Sequence, residues 1–301
     1  MQNECRLSII TVNYNGQEDT CALLSTIPSD RDIEIIVVDN GSHVDETQTI
    51  AQRFPHVITI RSEQNLGFAG GNNLGIKASH GKYLFFINND TEFRGEWMVD
   101  RLMQRLDEHA ETAIVCPKIR FAWGTSPIQF AGFTPLSSVT LRNQGIGYGE
   151  EDHGQHDTPH PTPYAHGAAM LVSREAIKRI GVMPECYFLY YEEVDWSIMM
   201  TQAGYDIWYD PSCTIYHKES RSTGIDSPLK CYYLTRNRFL LAKRNIGFPT
   251  RLCTYFYLIT IVLIRDILKH LLKRRWQQAQ SALTGVADFC RGRIGKRQVE
   301  N

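Results

Sequence analysis

Asn88-Asn89-Asp90-Thr91 follows a five-residue apolar run, Tyr83 to Ile87, which places Asp90 at the rim of a sheet and not inside it. A hard divalent cation such as Mg²⁺ or Mn²⁺ takes one or two carboxylates, substrate phosphate oxygens and retained water, and Asp90 has the chemistry for that role. The competing reading is a turn Asp that caps the helix near Trp97. Further along, Glu192, Glu193 and Asp195 crowd a helix start among Phe188, Tyr190, Tyr191 and Trp196. The helix dipole explains part of that acidity. Aromatic surroundings would desolvate at least one carboxylate, raise its pKa and make it a base near neutral pH. His217 precedes Lys218, Ser220, Arg221 and Ser222, a set suited to phosphate. It reads either as a metal or diphosphate ligand or as a structural histidine. His153, His156, His160 and His166 sit among Pro, Gly and Asp, which reads as a solvated loop, and no zinc site is assigned.

Two more segments carry polar chemistry. Asp39 stands at a strand end in Asp39-Asn40-Gly41-Ser42, where a carboxylate can accept from a base N–H or a ribose hydroxyl, or simply hold a turn. Residues 65–73, Asn-Leu-Gly-Phe-Ala-Gly-Gly-Asn-Asn, are expected as a glycine-rich turn leading into a helix. Asn65, Gly70 and Asn72 lie in it, and its backbone N–H groups could approach a diphosphate. Its spacing is neither G-x-G-x-x-G nor a P-loop.

The elements that would position these residues alternate strand and helix over the first third of the chain, the pattern of a parallel sheet flanked by helices. Strands are expected at 7–12, 33–38, 57–60, 82–87 and 114–117, and helices over 45–54, 72–80 and 97–110. Asn13, Asp39 and Asp90 each follow the last apolar residue of a strand, and ligands of open α/β sheets bind beyond those carboxyl ends. From Phe121 to about Pro163 the pattern dissolves into Gly, Pro, Ser, His and acidic residues, read as a mobile loop or a hairpin with a flexible tip. Order returns with a strand from Ala165 to Ser173, a helix to Ile180, the acidic helix near Glu192 and a strand from Asp206 to Tyr209.

The 301 residues are 43% hydrophobic, enough for a sizeable core, and carry a formal charge of −1, which excludes a general attraction to nucleic acid. Eight scattered cysteines show no disulfide framework or zinc spacing, which fits a reducing compartment. No secretory signal is read at the N-terminus, so a cytoplasmic protein is expected.

The order of Ile9 to Gly16, Val37 to Ser42, the 65–73 segment, Asn88-Asn89-Asp90, Gly167-Ala168-Ala169-Met170 and Glu192 to Asp195 closely resembles family 2 glycosyltransferases of the GT-A fold, especially the bacterial rhamnosyltransferase-like branch. The resemblance covers roughly residues 5–245. It implies a Rossmann-like, mostly parallel sheet and inverting transfer from a nucleotide-diphosphate sugar (dTDP-, UDP- or GDP-linked, with dTDP-rhamnose favoured). A divalent metal, Mg²⁺ or Mn²⁺, would bridge the diphosphate. Asp39 looks like the carboxylate that recognises the base, and Asp90 like the last acid of the family's D-x-D motif, whose first acid is replaced here by Asn88. Glu193 matches the acceptor-deprotonating base, with Glu192 and Asp195 beside it. Asn13, Asn15, Asn40, Asn65, Gly70, Asn72, Asn88, Asn89 and Gly167 are expected to line the donor, and His217 to complete the metal shell.

After Ser227 aromatic, aliphatic and basic residues dominate, so the expected division is a catalytic domain over 1–226 and a helical region over 227–301. Arg236, in Arg236-Asn237-Arg238, either meets substrate phosphate or packs the last helix. Leu252 to Ile264 is an apolar run too short to span a bilayer, and Lys269, Lys273, Arg274, Arg275 and Trp276 follow it. Apolar surface beside basic charge suits an interfacial helix on an anionic membrane, and hence a lipid-linked or surface-polysaccharide acceptor. The alternatives are a core-packing helix and a homodimer contact. Competing functions are sugar-phosphate nucleotidyl transfer, whose basic glycine-rich loop is missing from Asn13-Tyr14-Asn15-Gly16, and a non-catalytic sugar-nucleotide scaffold, which the acidic set at 192–195 argues against.

Overall fold

The computed structural model describes residues 5–29, 32–219 and 227–298; Ser220, Arg221 and Ser222 of the expected phosphate set lie outside the described residues. In chain order the elements are β1 (Leu7–Asn13), α1 (Gln17–Leu24), β2 (Ile33–Asn40), α2 (Thr47–Arg53), β3 (Ile58–Ser62), α3 (Gly67–Ala78), β4 (Tyr83–Ile87), β5 (Thr91–Glu92) and α4 (Val99–Glu108). β6 (Thr112–Phe121), β7 (Ile128–Phe130), β8 (His160–Pro161), β9 (Ala169–Ser173), α5 (Arg174–Ile180), α6 (Glu192–Gln202) and β10 (Asp206–His217) follow. The helical region comprises α7 (Pro228–Asn245), α8 (Thr250–Tyr257), a π-helical turn (Leu258–Leu263), α9 (Ile264–Leu272) and α10 (Trp276–Cys290).

One sheet runs β3-β2-β1-β4-β9-β6-β10-β5. β3, β2, β1 and β4 are parallel, with Asn13 level with Asp39 and Leu7 level with Tyr83. Every residue of β4 is buried, because helices cover both faces of a parallel sheet and leave no wet side for alternation. Beyond β4 the sheet is mixed: β9 runs antiparallel between β4 and β6, while β10 returns parallel to β6. β10 extends eight residues past the expected end at Tyr209, through an irregularity between Asp210 and Thr214, and its last residue pairs with β5, His217 opposite Thr91. That register carries His217 to the turn after β4.

The 65–73 segment corrects the sequence reading. The helix expected from Asn72 starts at Gly67 and runs to Ala78, so Gly70 lies inside α3 and not in a turn before it. Its glycines serve close packing: a Cβ on Gly71 would stand 2.9 Å from Val12, one on Gly75 2.4 Å from Ile10, and one on Gly70 2.6 Å from Leu66. α3 therefore lies against β1 at a distance no larger side chain would permit.

The excursion after Phe121 is a folded hairpin and not an open loop. Across it Ala131 N donates to Ile146 O and Ile146 N to Gly132 O, Ile128 pairs with Glu150 and Gly149, and Thr134 N donates to Gln144 O. Buried Lys118 clamps its far end through Asp152, at 3.1 Å to both oxygens, and through Asp157. Leu136 and Leu141 join the apolar cluster of α7 and the π-turn, and Thr254 Oγ1 donates to Ser138 O at 2.8 Å. The hairpin thereby ties the sheet to the helical region. All eight cysteines are free thiols. No helix of the described residues is long and apolar enough to cross a membrane.

Candidate active site

The rim beyond β4 and β10 holds the first half of the site. Asp90 Oδ1 stands 3.1 Å from His217 Nε2, and the Asn88 side chain is 3.5 Å from the same nitrogen. His217 Nδ1 lies 2.8 Å from Gln129 Oε1 on β7. With that oxygen placed to accept, Nδ1 carries the proton and Nε2 presents a lone pair to Asp90. Two acceptors facing each other across 3.1 Å call for a cation or a proton between them. These residues fit one face of a metal shell with its orienting partner. Among the described residues no group of three or more His, Cys, Asp or Glu side chains could hold an ion by itself, so the rest of any shell must come from substrate and water. Asp90 does not cap the helix near Trp97: α4 has no side-chain cap bond.

The second half is built on the segment 187–193. Phe188, Tyr190 and Tyr191 all have φ near +70 to +79°, a left-handed backbone that L side chains adopt only under restraint. The restraint is visible. Asn237 Nδ2 donates to the carbonyls of Tyr187, Leu189 and Tyr190 at 3.0, 2.7 and 3.1 Å, and Arg236 Nη2 donates to Tyr187 O at 2.7 Å. The turn so held delivers Glu192 and Glu193 to the first turn of α6. Glu192 is buried, with Oε2 lacking any partner, and burial followed by the neighbouring Glu193 charge pushes its pKa up. Burial also raises Glu193, against backbone N–H groups that pull it down.

The segment 166–168 joins the halves. A Cβ on Gly167 would lie 3.7 Å from Glu193 Cγ and from Phe68 Cζ, while Asn88 N donates to Ala168 O at 2.9 Å. His166 stacks on Phe133, and burial, with competition from the neighbouring His217 imidazole for a proton, drives its pKa down to about 3, so it is neutral. Gly167 thus sits against Glu193 and Phe68, while its neighbour Ala168 is bonded to the backbone of Asn88, two residues before Asp90.

Several expected site residues are occupied elsewhere. Asp195 is not at the site: it is buried, with Arg244 and Asn245 each 2.6 Å from one of its oxygens, so it fastens α6 to α7. Arg236 is buried inside the helical region, bonded to Tyr187 O and Gly295 O, with no free face for phosphate. Asp39 is fully buried and accepts from Ser42 N at 3.0 Å, Glu46 N at 3.3 Å and Arg61 at 2.5 Å, which is the turn-holding alternative. Asn13 is internal, donating to Glu46 and accepting from Thr20. Asn40 clamps Leu66 N and Gly67 O, Asn65 Oδ1 accepts from Gly67 N, and Asn72 donates to Phe68 O. These four amides set the backbone of the rim and do not offer it a ligand. Asn15 is exposed there and accepts from His43 N, and Asn89 ties the turn to α1 through Thr20.

Gln129 and Phe68 were not singled out in the sequence, and His166, read there as part of a solvated histidine loop, is largely buried beside the site. Gln129 and His166 fall inside or just beyond the irregular stretch, where the alternation of Ile128-Gln129-Phe130 was the only available sign of a strand. Phe68 was hidden among the glycines.

Comparison with known proteins bears on this arrangement. The glycosyl transferase family 2 sequence model matches residues 8–181. The chain is 28% identical over 297 residues to the low-salt glycan biosynthesis hexosyltransferase Agl10 of Haloferax volcanii, covering 96% of this chain and 92% of the relative. It is 25% identical over 265 residues to the N-acetylglucosaminyl-diphospho-decaprenol L-rhamnosyltransferase of Mycobacterium tuberculosis, covering 80% and 85%. Among solved structures it is similar to GalNAc-T7 with UDP, GalNAc and Mn²⁺, at a TM-score of 0.63 and 15% identity. That alignment covers 90% of this chain but spans 58% of the other, and it speaks for a shared GT-A fold.

Proposed function

The chain belongs to glycosyl transferase family 2 and is a glycosyltransferase that uses nucleotide sugars, and we propose that it is a metal-dependent, inverting enzyme acting on a lipid-linked or surface-polysaccharide acceptor. The observation that carries this reading is the segment 166–168, which packs Gly167 against Glu193 and bonds Ala168 to Asn88 beside the Asp90–His217 pair. A donor sugar seated there has its diphosphate toward Asp90 and its anomeric carbon toward the acceptor side.

The acceptor oxygen attacks the anomeric carbon as its proton passes to the Glu193 carboxylate, and the bond from that carbon to the diphosphate oxygen breaks with its electron pair leaving on the nucleoside diphosphate. Attack from the face opposite the leaving group inverts the centre. A divalent cation, when bound, supplies charge stabilisation for the departing diphosphate. Asp90 and His217 would hold it, with Gln129 fixing the imidazole. Burial and the neighbouring Glu193 charge push the Glu192 pKa up to about 8, so Glu192 stands as the neutral acid near neutral pH and leaves the carboxylate role to Glu193. The name of the mycobacterial relative supports a prenyl-diphosphate sugar as acceptor, and that of a dTDP-rhamnosyl transferase of Shigella flexneri, 24% identical over 248 residues, supports dTDP-rhamnose as the first donor to test, with UDP- and GDP-sugars as the other candidates.

The apolar side chains Leu252, Phe256, Ile264, Leu268 and Leu272 support a seat on the inner face of the cytoplasmic membrane. They form an exposed line opposite the buried line of Thr254, Leu258, Val262 and His270. Residues 248–276 hold six basic residues and one acid in a chain of net charge −1, which favours an anionic bilayer over a second copy of the chain.

Glu193→Gln tests the central claim. Transfer should fall by about 10²–10⁴-fold, the usual contribution of a general base, while donor affinity measured by calorimetry is unchanged. Full turnover in Glu193→Gln with a dead Glu192→Gln would move the base by one residue.

A further inference from the structure

α7, the π-helical turn and α9 enclose a hollow of about 190 Å³ that the catalytic reading does not use. Whole drug-sized ligands occupy roughly 300–1,000 Å³, so the hollow suits a head group and not a lipid. Its walls are strongly one-signed. Lys230, Arg238, Arg265 and Lys269 line it, and the one acid there, Asp266, is already paired with Arg265 at 2.6 Å. Among the described residues Lys230 and Lys269 form no ion pair, and Arg238 shares the charge of the same Asp266 with Arg265. His270 lines the same hollow: it is more than nine-tenths buried, its Nε2 rests 3.7 Å from Cys231 Sγ, and its Nδ1 has no partner. Leaving a buried polar atom unpaired costs about 1–3 kcal/mol, which points to a missing polar ligand.

Two contacts join this hollow to the reacting end. Arg238 Nε donates to the Tyr191 hydroxyl at 3.0 Å, and Lys230 Nζ sits 5.9 Å from the Tyr190 ring centre. Tyr190 and Tyr191 immediately precede Glu192 and Glu193. On the other side, the walls at Leu258, Val262 and Leu263 pass into the exposed apolar line of Ile264, Leu268 and Leu272. Anionic binding, an apolar exit and the catalytic acids therefore follow one another in space.

We propose that this hollow binds the diphosphate of a prenyl-diphosphate-linked acceptor, with the isoprenoid chain leaving along the apolar line of α9 and the sugar directed toward Glu193. The inference rests on the lipid-linked reading given above and assigns it a place. Lys230, Lys269 and His270 meet the phosphate oxygens, while Arg238 couples the filled site to the turn that aims the acids.

The test is a titration of the full chain with farnesyl diphosphate, beside farnesol and phosphatidylglycerol vesicles. Lys230→Ala with Lys269→Ala should weaken farnesyl diphosphate binding by at least about tenfold, the loss expected for one charge-assisted contact or more. Farnesol binding should not change, and vesicle binding should fall less than farnesyl diphosphate binding. Both lysines stand at the edge of the hollow, and an unchanged thermal melt confirms that the variant is folded. An unchanged farnesyl diphosphate affinity overturns the proposal. So does an equal loss toward vesicles, which would make the lysines a general lipid-surface patch. Turnover separates this from the reading beneath it. If the wild-type enzyme glycosylates only lipid-free sugars, the lipid-acceptor reading falls and the hollow's role with it. If it uses the prenyl-diphosphate sugar and the double variant raises neither its KM nor the farnesyl diphosphate Kd, the hollow alone is wrong.

Discussion

At Glu193 the chemistry turns on a single proton. Burial raises its pKa, so the carboxylate that accepts the acceptor proton is populated only as pH climbs through that raised value. The acid limb of kcat/KM should therefore lie above about 4.3, the range of an exposed glutamate, and a rate that stays flat down to that range would exclude Glu193. Glu192 behaves oppositely in stability. Its raised pKa means that ionisation penalises the folded state, a penalty absent well below its unfolded pKa and growing as pH rises past it. Glu192→Gln should raise the melting temperature by roughly 2–4 °C for each ~1 kcal/mol released, more at pH 8 than at pH 5. At the other half, Gln129→Leu removes the group that holds the His217 tautomer and should weaken Mn²⁺ affinity by about 10–100-fold in the presence of nucleoside diphosphate. The Asp90 and Glu193 positions were legible because each sits where a strong local pattern ends. Gln129 was not, since a three-residue strand inside an irregular stretch leaves almost no periodic signal. The roles given to Asp195 and Arg236 failed for another reason: a sequence shows charge but not that Arg244 lies 2.6 Å from the one or that the Tyr187 carbonyl lies 2.7 Å from the other.

Among the elements, the turn 187–191 depends on α7. The left-handed residues Phe188, Tyr190 and Tyr191 would relax unless Asn237 held the carbonyls of Tyr187, Leu189 and Tyr190, so Asn237→Ala leaves the Leu189 and Tyr190 carbonyls without that donor and should lose about 1–3 kcal/mol of stability. The catalytic consequence should exceed the structural one. kcat falls because Glu193 loses its aim, donor KM stays near its starting value, and the acid limb of the pH profile moves with the altered burial. A loss confined to melting temperature, with kcat intact, would reduce Asn237 to a packing residue. α3 makes the complementary point. Its glycines were read as a phosphate-facing loop, whereas the missing Cβ atoms let it approach β1, and Gly75→Ala should destabilise by about 1–3 kcal/mol through overpacking against Ile10. The alternation of strands and helices was plain because period 2 and period 3.6 patterns are local. The antiparallel insertion of β9 and the long reach of β10 were hidden because pairing partners lie far apart in sequence.

At the scale of the whole molecule, nearly half of the exposed large apolar side chains of the described residues fall in one stretch of chain. Phe248, Leu252, Phe256, Ile259, Ile261, Ile264, Leu268, Leu272 and Trp276 are all exposed and all fall within 29 consecutive residues. Removing residues 250–301 would be a poor test of membrane seating, because Arg236 bonds to Gly295 O and α10 packs along α7. Phe256→Ser with Leu268→Ser leaves those contacts in place. It should shift the protein from anionic vesicles to supernatant in a sedimentation assay, and the wild-type association should weaken as salt rises. Unchanged partition in that variant would leave the exposed line for a partner subunit. The clamp that Asn237 places on the turn 187–191 also bears on how such enzymes can be recombined. An exchange of helical regions between relatives at residue 227 separates the fastener from the backbone it fastens, so a chimera would inherit both acids of α6 without the means to point them. A productive graft must carry the turn and its helix as one inherited unit.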